Sequence, residues 1–176
     1  GAAAAILCTG EGLRRIGADR SRCIRIAASV MRSFSHRGLD EPEQHVSRLA
    51  ALQAYEIAGL GPEDIHVAEV HDASAMGEII QAENLGLAPP GGGGPAAERG
   101  EFTLGGRMPI NPSGGLESKG HPLGATGIGQ LFELVAQLRG EAGARQVAGA
   151  RHAIQENGGG LQGIEEAAVA IHILSK

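Results

Sequence analysis

Glycine most constrains how this chain can fold, because 29 of its 176 residues are glycine, about twice the usual share of roughly 7%. The glycines cluster, and the clusters punctuate a chain that otherwise alternates strand-like and helix-like patterns. Residues 2–8 and 23–31 read as strands, the latter setting Ile24, Ile26 and Ala28 against Arg25 and Ala27, before a polar loop over 32–38. Asp40, Pro42 and Glu43 form a helix-start signal, and Val46, Leu49, Ala50 and Ile57 give the following helix one apolar stripe ending at Gly59. Residues 61–64 make a turn and 65–70 a strand, and Met76, Ile79, Ile80 and Leu85 mark an amphipathic helix that stops at Gly86. Ile128, Leu131, Phe132, Val135 and Leu138 predict another helix ending at Gly140. Strands are expected over 146–155 and 166–174, paired antiparallel across a wide glycine turn at 157–163. Such alternation argues for α/β layering.

The glycine clusters are of two kinds. Pro89-Pro90 and Gly91 to Gly94 sit in a stretch, 86–106, that predicts a mobile surface loop. The passage 111–124 interleaves glycine with Asn111, Ser113, Lys119 and His121, residue types that carry chemistry. His121 stands before Pro122, a residue suited to the first helical position, where an imidazole would stay neutral and could accept a proton. His71-Asp72 falls at a strand's carboxyl end, the edge where α/β sheets build sites, and its imidazole could stabilise an enolate or oxyanion. Glu156 and Asn157 fall at another strand end, with Gly158 and Gly159 leaving backbone bare for a ligand. Each has a structural reading too: His121 as a helix cap, His71 as a packed histidine beside an Asp72 N-cap, and 155–160 as a plain hairpin turn.

Charge and composition exclude several classes. The net charge of −5 is spread without blocks and Trp is absent, so neither a nucleic-acid footprint nor a stacking platform is expected. No apolar run approaches the roughly 18 residues of a membrane span, and no spacing of Cys or His suggests a metal site. Two cysteines, Cys8 and Cys23, without a signal peptide point to a reducing, cytoplasmic setting, and both are expected to be packing residues. The opening Gly-Ala-Ala-Ala-Ala, with no initiator Met, reads as a chain cut from something longer.

Taken together, Asn111-Pro112-Ser113-Gly114-Gly115 and Lys119-Gly120-His121-Pro122-Leu123-Gly124-Ala125-Thr126-Gly127 resemble the signature of the thiolases. His71-Asp72, Gln155-Glu156-Asn157 and residues 138–143 resemble the sterol-carrier-protein type of that family. The resemblance covers nearly the whole chain and corresponds to the C-terminal half of a thiolase, with a mixed sheet in a layered α/β fold. Residues 1–10 would then be the last strand of a missing N-terminal half, and 11–176 the C-terminal domain.

The resemblance implies an acyl-CoA acyltransferase working through an acyl-cysteine held by the other half, with a CoA thioester as substrate and no cofactor. His121 would activate that cysteine and His71 would hold the thioester oxygen. Ser113 and Gly114 would line the pantetheine channel. It further implies a homodimer and, in some divergent members, a small zinc-containing companion protein. Thiolases also use a second cysteine, either in the last loop or directly after His-Asp. Here Glu156 and Ala73 occupy those neighbourhoods, making Glu156 the titratable residue expected to replace it. A thiolase-fold aldolase or lyase, and a non-catalytic acyl-CoA-binding subunit, are the alternatives.

Overall fold

In the computed structural model, which describes residues 1–176, four strands form one mixed sheet. They are β1 (Arg25–Ser33), β2 (Val67–Glu69), β3 (His152–Gln162) and β4 (Glu165–Ser175), ordered β1-β4-β3-β2. β4 pairs antiparallel with β1 and β3, and β2 runs parallel to β3. Six helices accompany them: α1 (Gly10–Arg15), α2 (Val46–Ala58), α3 (Ala75–Asn84), α4 (Gly93–Glu98), α5 (Gly115–Lys119) and α6 (Thr126–Arg139).

Strand alternation divides the core between the two faces of the sheet. Ala28, Val30, Ala68, Ile154, Val169, Ile171 and Ile173 face α2 and α3 in the larger core. Val67, Ala153 and Leu174 turn the other way, onto Leu134 and Leu138 of α6. The Glu165 carboxylate fastens the first face to its loops, accepting from Ser35 N (2.5 Å), Val46 N (3.0 Å) and Arg37 Nε (3.2 Å). The Tyr55 hydroxyl joins α2 to the end of α3 by donating to Leu85 O at 2.9 Å.

The layered α/β class and the closing antiparallel pair follow the sequence reading, and several local expectations do not. Residues 2–8 form no strand. They are exposed, with Ile6 at 91%, and Gly1–Ala3 lie beside Pro122–Ala125. An apolar run becomes a strand only where a neighbour supplies hydrogen bonds, and no sheet edge reaches this one. Cys8 is accordingly exposed rather than packed. α2 starts after a 3-10 turn at Pro42–Gln44 and is capped by His45, whose ring accepts from Ser47 N at 3.2 Å. Its buried side is Val46, Ala50, Ala51, Ala54 and Tyr55, while Ile57 faces out.

Residues 86–106 are not a mobile surface loop. Leu87, Ala88, Ala96 and Phe102 belong to the larger core, and the glycine run leads into α4. The Glu83 carboxylate accepts from Gly91 N and Gly93 N, each at 2.9 Å, and a Cβ on Gly93 would press on Ile79. Glycine here permits close approach between α4 and α3. The wide turn expected at 157–163 is also absent, because β3 continues through Asn157, Gly158 and Gly159, paired with Ala170, Val169 and Ala168. The turn is only Gly163-Ile164.

Candidate active site

β2 and β3 run parallel, with Glu69 in register with Gln155, so the chain beyond Glu69 leaves the short strand beside Glu156 and Asn157, where β3 runs on past it. β2 is only three residues long and is extended by Asn111, whose Oδ1 accepts from Val70 N (2.8 Å) and whose N–H donates to Ala68 O (2.8 Å). The His71 main chain is then held from β3, its N–H donating to Glu156 Oε2 at 2.8 Å. The His71 ring meets the next residue of the same strand, Asn157, with Nδ1 at 3.1 Å from Asn157 Nδ2.

The glycine-rich passage brings in the second histidine. Asp72 is buried and its Oδ1 accepts from Leu116 N at 2.7 Å. This approach requires Gly115, because its φ is +57° and a Cβ there would run into the Asp72 carboxylate. Gly120, at φ +94°, turns the chain at the end of α5, and the His121 ring arrives edge-on to His71, centroids 4.9 Å apart and planes at 86°. His121 Nδ1 lies 2.7 Å from Thr126 Oγ1, whose hydroxyl donates to Pro122 O at 3.2 Å. The first turn of α6 closes on Asn157, since a Cβ on Gly127 would come within 3.1 Å of Asn157 Oδ1. The structure thus brings together His71, His121 and Asn157 from three stretches of the chain.

It does not bring Glu156 with them. Asn157 and Gln155 face α6, and Gln155 Nε2 donates to Gln130 Oε1 at 2.8 Å. Glu156 points through the opposite face, beneath Gly158 and beside Glu166, where it is fully buried. It neither ends a strand nor meets water. Burial, with the charges of Glu166 and Asp72, outweighs the His71 N–H bond and pushes its carboxyl up to about 8. One of its oxygens, Oε1, has no hydrogen-bond partner. Gly158 shares that face, so it does not open a ligand approach, whereas Gly159 is exposed.

Pro122 is not a first helical residue either: α6 starts at Thr126, and residues 122–125 form a turn closed by Ala125 N on Pro122 O (2.7 Å). Ser113 is half-buried in a different cluster. Its hydroxyl donates to Glu69 Oε2 (2.7 Å) and accepts from Lys119 Nζ (2.5 Å). Burial raises the Glu69 carboxyl above its usual range, opposed by Lys119 and the Ser113 bonds. Gly114 adopts φ +98° at the head of α5.

Burial, then the neighbouring His121, lowers the His71 pKa from its ordinary value, with Glu166 and Asp72 opposing. His71 is therefore neutral near pH 7, a hydrogen-bond donor rather than a cation. Beside it, His121 is solvent-exposed and free at Nε2. The pair suits proton transfer at one ring and hydrogen bonding to developing negative charge at the other. Neither cysteine joins it: Cys23 Sγ bonds Asp19 O at 3.5 Å and Cys8 lies in the exposed N-terminal segment. No group of three or more His, Cys, Asp or Glu side chains is placed to hold a metal ion, and no helix is long and apolar enough to cross a membrane. Sequence reasoning passed over Thr126 and Glu69 as site residues. Their signals were Thr126 five residues beyond His121, at the head of the next helix, and Glu69 two residues before His71 on the same side of an extended segment.

Residues 29–175 match the family model described as thiolase C-terminal domain-like. Sterol carrier protein 2 of Rattus norvegicus is 47% identical over 163 residues, covering 89% of this chain and 30% of that protein. Acetyl-CoA acetyltransferase of Methanothermobacter thermautotrophicus is 42% identical over 177 residues, covering all of this chain and 45% of that one. The benzoylsuccinyl-CoA thiolase subunit BbsB of Thauera aromatica is 38% identical over 149 residues, covering 84% and 38%. A solved structure, an Ltp2-ChsH2(DUF35) aldolase, shares the fold at a TM-score of 0.70 and 22% identity, covering 85% of this chain and 38% of that chain. The chain therefore spans less than half the length of these relatives. With the sheet, the histidine loops and a match over most of its residues in agreement, the chain belongs to the thiolase C-terminal domain-like family.

Proposed function

We propose that this chain supplies the acid–base half of an active site that transfers acyl groups from CoA thioesters, its cysteine nucleophile coming from a thiolase N-terminal half. The edge-on His71–His121 pair, 4.9 Å between centroids and buttressed by Asn157, carries the reading. His121 takes the proton of the incoming thiol, and the thiolate adds to the thioester carbonyl. His71 donates a hydrogen bond to the oxygen that becomes negative. The carbon–sulfur bond to CoA then breaks, CoA leaves as a thiol with the proton held by His121, and the acyl group remains on cysteine. A second thiol takes the acyl group in turn, its proton passing through His121 to the departing cysteine. No cofactor enters this sequence. Ser113 and Gly114 line the pantetheine channel through their backbone, since the Ser113 hydroxyl is engaged with Glu69 and Lys119.

The partner half packs on the exposed apolar side of α6, where Phe132 is 68% exposed, with Leu123 beside its first turn. A homodimer in the cytoplasm, with a small zinc-containing companion protein, completes the proposal. The Thauera aromatica relative being a subunit supports a multi-chain assembly. A second reading, aldol or lyase chemistry on CoA esters, is favoured by Ala73 and Glu156, which leave neither of the family's second cysteine positions occupied. The test is intact-mass analysis of this chain joined to its N-terminal half after incubation with an acyl-CoA. An acyl adduct should form, and His121→Ala should slow its formation by about two orders of magnitude or more. Turnover of a 3-hydroxyacyl-CoA with no adduct would select the lyase reading, and binding without turnover a non-catalytic subunit.

A further inference from the structure

We propose that Asn157 and Thr126 act as positioning residues that hold the two site histidines in opposite tautomers, His71 with its proton on Nε2 and His121 with its proton on Nδ1. A neutral imidazole carries one N–H, and the partner at Nδ1 decides which nitrogen has it. At His71 that partner is the Asn157 amide nitrogen, 3.1 Å away, which can only donate. Nδ1 must present its lone pair, and the proton resides on Nε2. The main chain from which the ring projects is itself held, by Glu156 at 2.8 Å through the other face of the sheet. Consecutive residues of β3 thus grip the ring and the backbone of one histidine from opposite sides.

At His121 the partner is a hydroxyl, which can donate or accept. Its single hydrogen is directed to Pro122 O at 3.2 Å, four residues back, the i−4 carbonyl bond open to a threonine hydroxyl. The same carbonyl also receives Ala125 N at 2.7 Å and Thr126 N at 3.0 Å. The oxygen lone pair then faces His121 Nδ1 at 2.7 Å, and the ring donates. His121 Nε2 is left as a bare lone pair. One ring is a donor and its neighbour an acceptor before any substrate arrives. The role of this division rests on the acyl-transfer reading: Nε2–H of His71 for the thioester oxygen, Nε2 of His121 for the thiol proton. The tautomers themselves do not depend on it.

Long-range proton–nitrogen correlation of the 15N-labelled imidazoles, at about pH 8.5 where ordinary histidines are neutral, reads the tautomers directly. His71 should show a pyridine-like Nδ1 and a pyrrole-like Nε2, and His121 the reverse, with His71→Gln and His121→Gln assigning the signals. Asn157→Asp replaces the donor by an acceptor and should exchange the two His71 nitrogen shifts while leaving His121 unchanged. Thr126→Val should bring His121 to averaged shifts, and Thr126→Ser should restore them. Two rings with the same pattern in the unsubstituted chain would overturn the proposal, and so would a His71 pattern indifferent to Asn157→Asp in a folded variant. Opposite tautomers in an assembly that transfers no acyl group would instead remove the acyl-transfer reading and leave the tautomer assignment standing.

Discussion

Replacing Glu156 by Gln should make the protein more stable at neutral and alkaline pH. Glu156 lies fully buried between β3 and the larger core, with Oε2 on His71 N (2.8 Å) and Oε1 unpartnered. Its carboxyl is pushed from 4.5 up to about 8, chiefly by burial. In the unfolded chain the group ionises near its ordinary value, so between the two values the unfolded state has lost a proton that the folded state keeps. Stability from this group is complete below about pH 4.5 and is lost as pH rises to the folded value near 8. Each tenfold change in proton affinity is about 1.4 kcal/mol, which puts the loss at about 3 kcal/mol at pH 7 and about 5 above pH 8. A glutamine keeps the shape and the acceptor for His71 N, and its NH2 can face Glu166, whose Oε2 lacks a hydrogen-bond partner and has only His45 Nε2 near it, at 3.6 Å. The assay is urea unfolding of both proteins at pH 5, 7 and 8. Taking the difference between them cancels the opposite contribution of His45, His71 and His172, whose pKa values burial lowers. The difference should grow by about 2 kcal/mol or more in favour of Glu156→Gln from pH 5 to 8. A constant difference, or one favouring the glutamate at pH 8, would refute the buried-acid argument.

Gly115→Ala should destabilise by about 2 kcal/mol or more, because the residue sits at φ +57° and its Cβ would displace the Asp72 carboxylate from Leu116 N. Chemical denaturation measures this, and a loss under about 0.5 kcal/mol would mean that the loop reorganises freely. Within α6, Leu134→Ala should cost about 2 to 5 kcal/mol, whereas Phe132→Ser, on the exposed side, should stay within about 0.5 kcal/mol in the same assay.

The α6 contrast shows where sequence patterning stops being informative. Of the expected stripe Ile128, Leu131, Phe132, Val135 and Leu138, only Leu138 is fully buried and Leu131 and Val135 pack at the core's margin, while the arc against the sheet also carries Gln130, Glu133, Leu134 and Gln137. Polar side chains turn inward there because partners await them: Glu156 O and Gln155 for Gln130, Arg145 O for Gln137, and the Arg145 guanidinium for Glu133. These partners lie up to 26 residues away, so no local period announces them. α3 behaves likewise, burying Gln81 and Ala82 while Met76 faces out. What was legible was the punctuation and the special residues. Glycine-bounded strands and helices gave the class of fold, and three polar stretches identified the pieces that carry His71, His121 and Asn157, although the third is a strand and not the loop expected.

The same distinction decides what the last strand can do. Reading 155–160 as a turn leaves Gln155, Glu156 and Asn157 free to converge on one ligand. A continuous strand forbids it, because successive side chains leave opposite faces. Ala153 joins the α6-side core and Ile154 the α2-side core, so parity sends Gln155 and Asn157 toward α6 and Glu156 away from it. Glu156 therefore reaches the histidines only through the peptide N–H of His71, a group that transmits position and not protons. Its effect on the site is mechanical, exerted from behind the sheet, and in the acyl transfer proposed above the acid–base work falls to the two imidazoles and not to this carboxyl.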